Sequence, residues 1–296
     1  MRVTDDARVA QLSLAGCRVP GASPGPRRHN IGLGSRESPF GCRRHLTYDT
    51  AIEAIATAQP VARTLPMSCT LVLLPGMDGT GELFAPFTDI LRQIPTQVVR
   101  YPDVPLDYSA HEEFVRARLP RTGSFVVLGE SFSGPITVSL AASPPAGMRG
   151  YVLCASFIRC PRTLLRVLRP LIGLITFNRV HPLLAQCLLM GGGGSPALVE
   201  ALQMALRGVS NAALAARLRA ISRIDVSDRL ARVRMPGLFL RATRDCLIPK
   251  AAARRFSRIA TSARLVDIEG PHMLVQTNPT AAAQALRVFL DEVDSA

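Results

Sequence analysis

Ser131 stands in Leu128-Gly129-Glu130-Ser131-Phe132-Ser133-Gly134-Pro135, between a strand-like apolar run and a helix-like one. A serine on a tight strand-to-helix turn presents its hydroxyl outward, and its neighbours two residues away must be small because strand and helix nearly touch there. Gly129 meets that demand; Ser133 occupies the place where a second glycine is usual, with Gly134 one later. Pro135 falls in the first helical turn, where a missing N–H costs little. Such a serine could attack a carbonyl carbon; the alternative is one more serine in a glycine-rich turn. Because a hydroxyl is a poor nucleophile at neutral pH, the first reading requires a base, an acid to orient that base, and donors for the developing oxyanion.

Five histidines compete for the role of base. His29 and His45 lie in an irregular N-terminal segment, His111 near the start of a polar helix, and His181 in a helical region far from any strand end. His272, in Glu269-Gly270-Pro271-His272, follows the last strand-like run, on the kind of loop where a doubly wound sheet gathers its active-site residues. Its plainer reading is a solvated loop histidine. For the acid, Asp245 lies in the loop after the run Gly237–Arg241, whereas Asp225 and Asp228 precede that run and Asp267 sits inside the next. The loop after Cys154 offers no carboxylate. A surface aspartate paired with Arg244 is the competing reading of Asp245. The oxyanion donors expected are two backbone amides, those of Phe132 and of Met77 in the glycine-rich loop Pro75–Gly81. A phosphate-binding loop is the rival there, but no Gly-Lys-Ser/Thr follows, and Val98–Tyr101 supply no ribose-binding acid.

These residues need strands to carry them. Short β-branched or wholly apolar runs at 69–74, 96–100, 124–128, 150–154, 237–241 and 264–268 read as strands buried on both faces. Helical patterns alternate with them: 81–94, 109–119 with Ser109 as N-cap, 250–260 and 278–293. Alternation of this kind predicts an α/β fold with a doubly wound, mostly parallel sheet of about six strands. The rhythm breaks once, between Cys154 and Gly237, where about 80 residues carry at least four helical patterns. A crossover needs about a dozen residues, so the excess reads as an inserted helical cap. Its Gly191–Gly194 run is either a hinge or an ordinary loop. Leu164, Leu165, Leu168, Leu171, Ile172, Leu174 and Ile175 are expected to give the cap an apolar acyl pocket. The expected division is 1–66 as a loosely ordered extension, 67–156 with 234–296 as the core, and 157–233 as the cap. Residues before Met67 are rich in Gly, Pro, Ser and Arg, with one short helical pattern at 48–58, and read as dispensable or as an upstream misassigned start.

From about Met67 onward the chain resembles the α/β-hydrolase superfamily. The matching pieces are Leu73-Leu-Pro-Gly-Met-Asp-Gly-Thr-Gly81, Leu128–Pro135, Arg241-Ala-Thr-Arg-Asp-Cys-Leu-Ile-Pro249 and Gly270–Pro279, in that order around a cap. The chain order serine, acid, histidine is that of the superfamily. The resemblance implies a Ser131–His272–Asp245 triad and an oxyanion hole from the Met77 and Phe132 amides, without cofactor or metal. Pro75-Gly76 replaces the family's frequent His-Gly pair, which leaves a backbone donor intact. Six strands stand against the usual eight, so residues 44–66 are a candidate extra edge element.

Bulk composition narrows the rest. The chain has 296 residues, 48% of them hydrophobic, enough for one large domain with an insertion. Mean hydropathy is +0.20, yet no run approaches about 18 uninterrupted apolar residues, so no membrane span is expected. No secretory signal is evident at the N-terminus. Net charge is +13, but Lys250 is the sole lysine and the arginines are scattered without an aromatic platform. That argues against nucleic acid as a partner and leaves at most weak attraction to anionic surfaces. Seven irregularly spaced cysteines without a CxxC pair argue against a disulfide framework or zinc site and for a reducing cytoplasm. The expected activity is cleavage of an acyl bond in a small molecule, most simply a carboxylic ester. The alternatives are acyl transfer, thioester cleavage, or a non-catalytic binding protein on the same fold. Oligomeric state is not legible.

Overall fold

The computed structural model describes residues 69–175 and 181–295, all within one unit, Arg63–Ala296. The expectations for residues 1–66, including the edge element at 44–66 and the short helix before Met67, lie outside the described residues. Six strands form one parallel sheet: β1 (Cys69–Leu74), β2 (Thr96–Val98), β3 (Ser124–Glu130), β4 (Met148–Cys154), β5 (Gly237–Ala242) and β6 (Ala263–Ile268). Their spatial order is β2-β1-β3-β4-β5-β6. The order reverses between β1 and β3, the switch point at which open parallel sheets leave a crevice beyond the strand ends.

Strand residues alternate between two cores. Val72, Leu74, Phe125, Val127, Tyr151, Leu153 and Phe239 face one layer of helices: α2 (Tyr108–Arg116), α3 (Gly134–Ala142), α8 (Ser227–Leu230) and α9 (Lys250–Ile259). Leu71, Leu73, Val126, Leu128, Val152, Leu238 and Leu240 face the other, made by α1 (Ala85–Ile90), α10 (Leu274–Thr277) and α11 (Pro279–Asp294). Burial on both faces explains the unbroken apolar runs of β1, β3 and β4. The edge strand β6 is marked instead by charge, with Arg264 bonded to Glu292 and Asp267 to Arg241. One helix start differs from expectation. Asp107, not Ser109, caps α2, its Oδ1 accepting from the Ala110 amide at 2.9 Å.

Between β4 and β5 lie α4 (Thr163–Val167) with a 3-10 turn at Arg169–Leu174, then α5 (Pro182–Met190), α6 (Pro196–Arg207), α7 (Asn211–Arg223) and α8. The excursion is pinched at its neck: the Val226 amide bonds Ile158 O at 2.8 Å, and the Cys160 amide bonds Ile224 O at 3.0 Å. Arg159 and Asp225 pair across the same neck at 3.2 Å. Leu164, Leu168, Leu171, Leu174 and Ile175 are exposed to solvent and line neither of the two clefts described below, while Leu165 and Ile172 pack on α7. No helix among the described residues is long and apolar enough to cross a membrane.

Candidate active site

The three side chains singled out in the sequence come from three strand ends. Ser131 directly follows β3, Asp245 lies three residues beyond β5, and His272 lies four residues beyond β6. With its proton on Nδ1, the His272 ring donates to Asp245 Oδ2 at 2.8 Å, and its Nε2 accepts from Ser131 Oγ at 2.9 Å. The second Asp245 oxygen accepts from the Leu247 and Ile248 amides, both at 2.8 Å, which fixes the carboxylate. Asp245 is therefore not a surface partner of Arg244, which pairs with Glu269 instead. Backbone bonds tie the acid loop to the histidine loop, Arg244 N to Gly270 O at 2.9 Å and Thr243 N to Ile268 O at 3.0 Å. The Met273 amide bonds Leu189 O of α5 at 2.9 Å, so the cap holds the histidine loop from above.

Ser131 has φ of 46°, a left-handed conformation that costs a non-glycine residue about 1–2 kcal/mol. Its surroundings hold it there. The Ser156 hydroxyl donates to the Ser131 carbonyl at 2.5 Å. Phe132 is fully buried, its ring stacked on Tyr108 at 4.8 Å, while the Tyr108 hydroxyl donates to Phe132 O at 3.0 Å. A Cβ at Gly129 would lie 2.2 Å from Thr137 Oγ1 and 2.7 Å from Ser133 O, so strand and helix approach as closely as the motif demands. The serine at 133 has a positive use. Its Oγ donates to Pro75 O and accepts from the Tyr101 hydroxyl at 2.6 Å, binding the loop after β1 to the turn that carries Ser131.

That loop is the one expected to supply an oxyanion amide. It approaches the serine closely: a Cβ at Gly76 would lie 4.0 Å from Ser131 Cβ. A turn closed by Gly79 N to Gly76 O at 3.1 Å does not use the Met77 amide. Phe132, in the first turn after β3, is among the amides a helix start leaves without an intrahelical acceptor. Sequence reasoning missed the residue that holds this loop in place. Arg217 of α7 is fully buried and donates to Met77 O at 3.0 Å, Asp78 O at 2.7 Å and Pro102 O at 3.0 Å. A Cβ at Gly79, where φ is 74°, would stand 2.6 Å from Arg217 Nη1, so the guanidinium occupies space that only glycine leaves. The lone signal was an arginine on the otherwise apolar side of a cap helix, beside Ala213, Leu214 and Ile221.

His111, near the start of α2, is buried, its ring 4.9 Å from Tyr101 and 5.1 Å from Phe132. Its Nδ1 bonds Asp107 O at 2.7 Å, and burial lowers its pKa, favouring the neutral ring. It supports the aromatic cluster under Phe132.

Glu130 is buried beside the serine, accepting from Gln276 Nε2 at 2.9 Å. Burial pushes its carboxyl up to about 7, with the nearby Asp78 adding to the rise and Gln276 and His272 opposing it. Between its ordinary value of 4.5 and about 7, the folded carboxyl keeps a proton that the unfolded chain has lost. Stability therefore falls as pH rises through that window, by an amount of order 3 kcal/mol. Glu130→Gln keeps an acceptor for Gln276 but removes the charge. Thermal unfolding followed from pH 5 to pH 8 should show the variant gaining about 5 °C or more over the wild type above pH 7, with little difference near pH 5.

A cleft of about 520 Å³ opens beside Gln276 and Thr277, bounded by Leu83, Pro86, Leu198 and Ala201. Another, of about 440 Å³, lies between α9 and the β5–β6 edge beside Arg241 and Asp267; neither cleft is lined by Ser131, Asp245 or His272. Among the described residues no cluster of His, Cys, Asp or Glu could hold a metal ion.

No protein-family profile and no curated protein matches the chain. Solved structures do. The enol-lactonase from Burkholderia xenovorans superposes with a TM-score of 0.68 at 16% identity, over 76% of this chain and 92% of that one. A thermophilic esterase from Thermogutta terrifontis gives 0.64 at 19% identity, over 76% and 90%. The bromoperoxidase from Bacillus anthracis gives 0.64 at 14% identity, over 76% and 92%. At these identities the likeness is one of fold, and that fold carries more than one chemistry.

Proposed function

We propose that this chain, which has the α/β-hydrolase fold, is a serine hydrolase that cleaves a carboxylic ester through an acyl-enzyme. The observation that carries the reading is the unbroken hydrogen-bonded line from Ser131 Oγ through the His272 ring to Asp245, with distances of 2.9 and 2.8 Å. In this reading Ser131 Oγ attacks the carbonyl carbon as His272 Nε2 takes its proton. Asp245 keeps the other ring proton on Nδ1 and offsets the imidazolium charge. The Met77 and Phe132 amides receive the oxyanion. His272 then returns its proton to the leaving alcohol, and water repeats the sequence to release the acid.

A lactonase and an esterase among the structural neighbours support a hydrolase at the level of the fold. The cleft bounded by Leu83, Pro86, Leu198 and Ala201 is our choice for the acyl side of the substrate, in place of the outward-facing leucines of the cap. We assign the protein to the cytoplasm on its irregular cysteine spacing. A panel of p-nitrophenyl esters of graded acyl length, run with and without a competing alcohol, tests the reading. We expect saturable release of p-nitrophenol with free acid as the main product. Absence of turnover across the panel would overturn an ester substrate, and products dominated by the alcohol's ester would make the protein an acyltransferase.

A further inference from the structure

The segment formed by α4 and the 3-10 turn after it carries its apolar side chains in an unusual sense. Leu165 and Ile172 anchor it to α7. Leu164, Val167, Leu168, Leu171, Leu174 and Ile175 recur at spacings of three and four, and all face solvent. Leu164 is 64%, Val167 73% and Leu174 79% exposed. Single exposed leucines are ordinary on a protein surface, but a contiguous stripe marks a contact face.

Charge indicates what the face contacts. From Ser131 to Val199 the chain has no aspartate or glutamate, while six arginines fall in that span. Arg166 and Arg169 lie within the stripe, and the Arg219 guanidinium of α7 rests beside Gly173, where a Cβ would come within 2.7 Å of it. Among the described residues, none of these three arginines has a carboxylate partner. A second copy of the chain meeting this face symmetrically would set arginines against arginines. An anionic bilayer surface suits both features, because leucines enter the acyl-chain boundary while guanidiniums meet lipid phosphates.

We propose that α4 and the turn Arg169–Leu174 form a docking face for an anionic lipid surface. The association is peripheral, held by apolar insertion and strengthened by charge. It does not depend on catalysis, so it stands or falls separately from the hydrolase reading, and Ser131→Ala should dock as the wild type does.

Flotation of the full chain with vesicles tests it, using phosphatidylcholine alone or mixed with phosphatidylglycerol. The wild type should float with the mixed vesicles at low salt and be released as salt rises. The triple variant Val167→Glu/Leu171→Glu/Leu174→Glu should lose at least about tenfold in partitioning while unfolding at the wild-type temperature. Arg166→Glu/Arg169→Glu should lose the preference for phosphatidylglycerol while unfolding at the wild-type temperature. Equal flotation of wild type and triple variant would overturn the proposal, as would equal binding to both vesicle types. So would size-exclusion chromatography showing a wild-type dimer that the triple variant splits, since the occupant would then be a second copy.

Discussion

Ser131→Ala should lower kcat on any ester that the wild type turns over by about four orders of magnitude or more, with the protein still folded. The hydroxyl's partner is His272 Nε2, so its removal costs one hydrogen bond at the site and none within the apolar core. The strained φ of 46° persists with alanine, and the contacts that impose it come from Ser156 O–H, Phe132 and Tyr108, none of which is touched. Stability should stay within about 1 kcal/mol of the wild type. Steady-state kinetics with a burst measurement, alongside thermal unfolding, checks both parts. A variant that keeps its turnover would remove Ser131 from the chemistry.

The second large effect belongs to Arg217. An oxyanion amide is useful only when it is aimed before the reaction, and removal of one such donor typically costs about 100- to 1,000-fold in kcat. Arg217 grips the successive carbonyls of Met77 and Asp78, just after the Met77 amide proposed as an oxyanion donor, and it also donates to Pro102 O. Arg217→Lys keeps the charge but loses the planar fork that spans three acceptors. We expect kcat to fall about 10- to 100-fold with KM changed by less than about threefold, because the loss lies in the transition state. A trifluoromethyl ketone, which forms a tetrahedral oxyanion on the serine, should lose affinity in parallel with kcat/KM. If the ketone binds as before and only the unfolding temperature falls, Arg217 serves the fold alone.

Much of this architecture was legible because the signals are local. Runs such as Leu71–Leu74 and Val126–Leu128 can lie only in a sheet covered on both sides, and their bounds were read to within a few residues. Ser131, Asp245 and His272 could be picked out because each follows a strand, and strand order places such loops at one rim of the sheet. What remained hidden depends on contacts between distant segments. Arg217 meets Met77 across about 140 positions, and no helical period reveals that. Ser133 looked like a lapse in a glycine motif until its bonds to Pro75 and Tyr101 were seen. The apolar side chains between Leu164 and Ile175 were expected to form an acyl pocket, yet only Leu165 and Ile172 of them turn inward, because an apolar stripe does not say what covers it. His111 was placed only near the start of a polar helix, while its ring lies in the Tyr101–Phe132 cluster.

The account rests on activation of one hydroxyl by the pair behind it. Reaction with a fluorophosphonate probe, followed by peptide mapping, measures that activation without knowledge of the natural substrate. The account predicts one phosphonylated residue, Ser131, formed rapidly in the wild type, at least about a hundredfold more slowly in His272→Ala, and absent from Ser131→Ala. Labelling of a different serine, or a Ser131 adduct that forms at the same rate without His272, would contradict it.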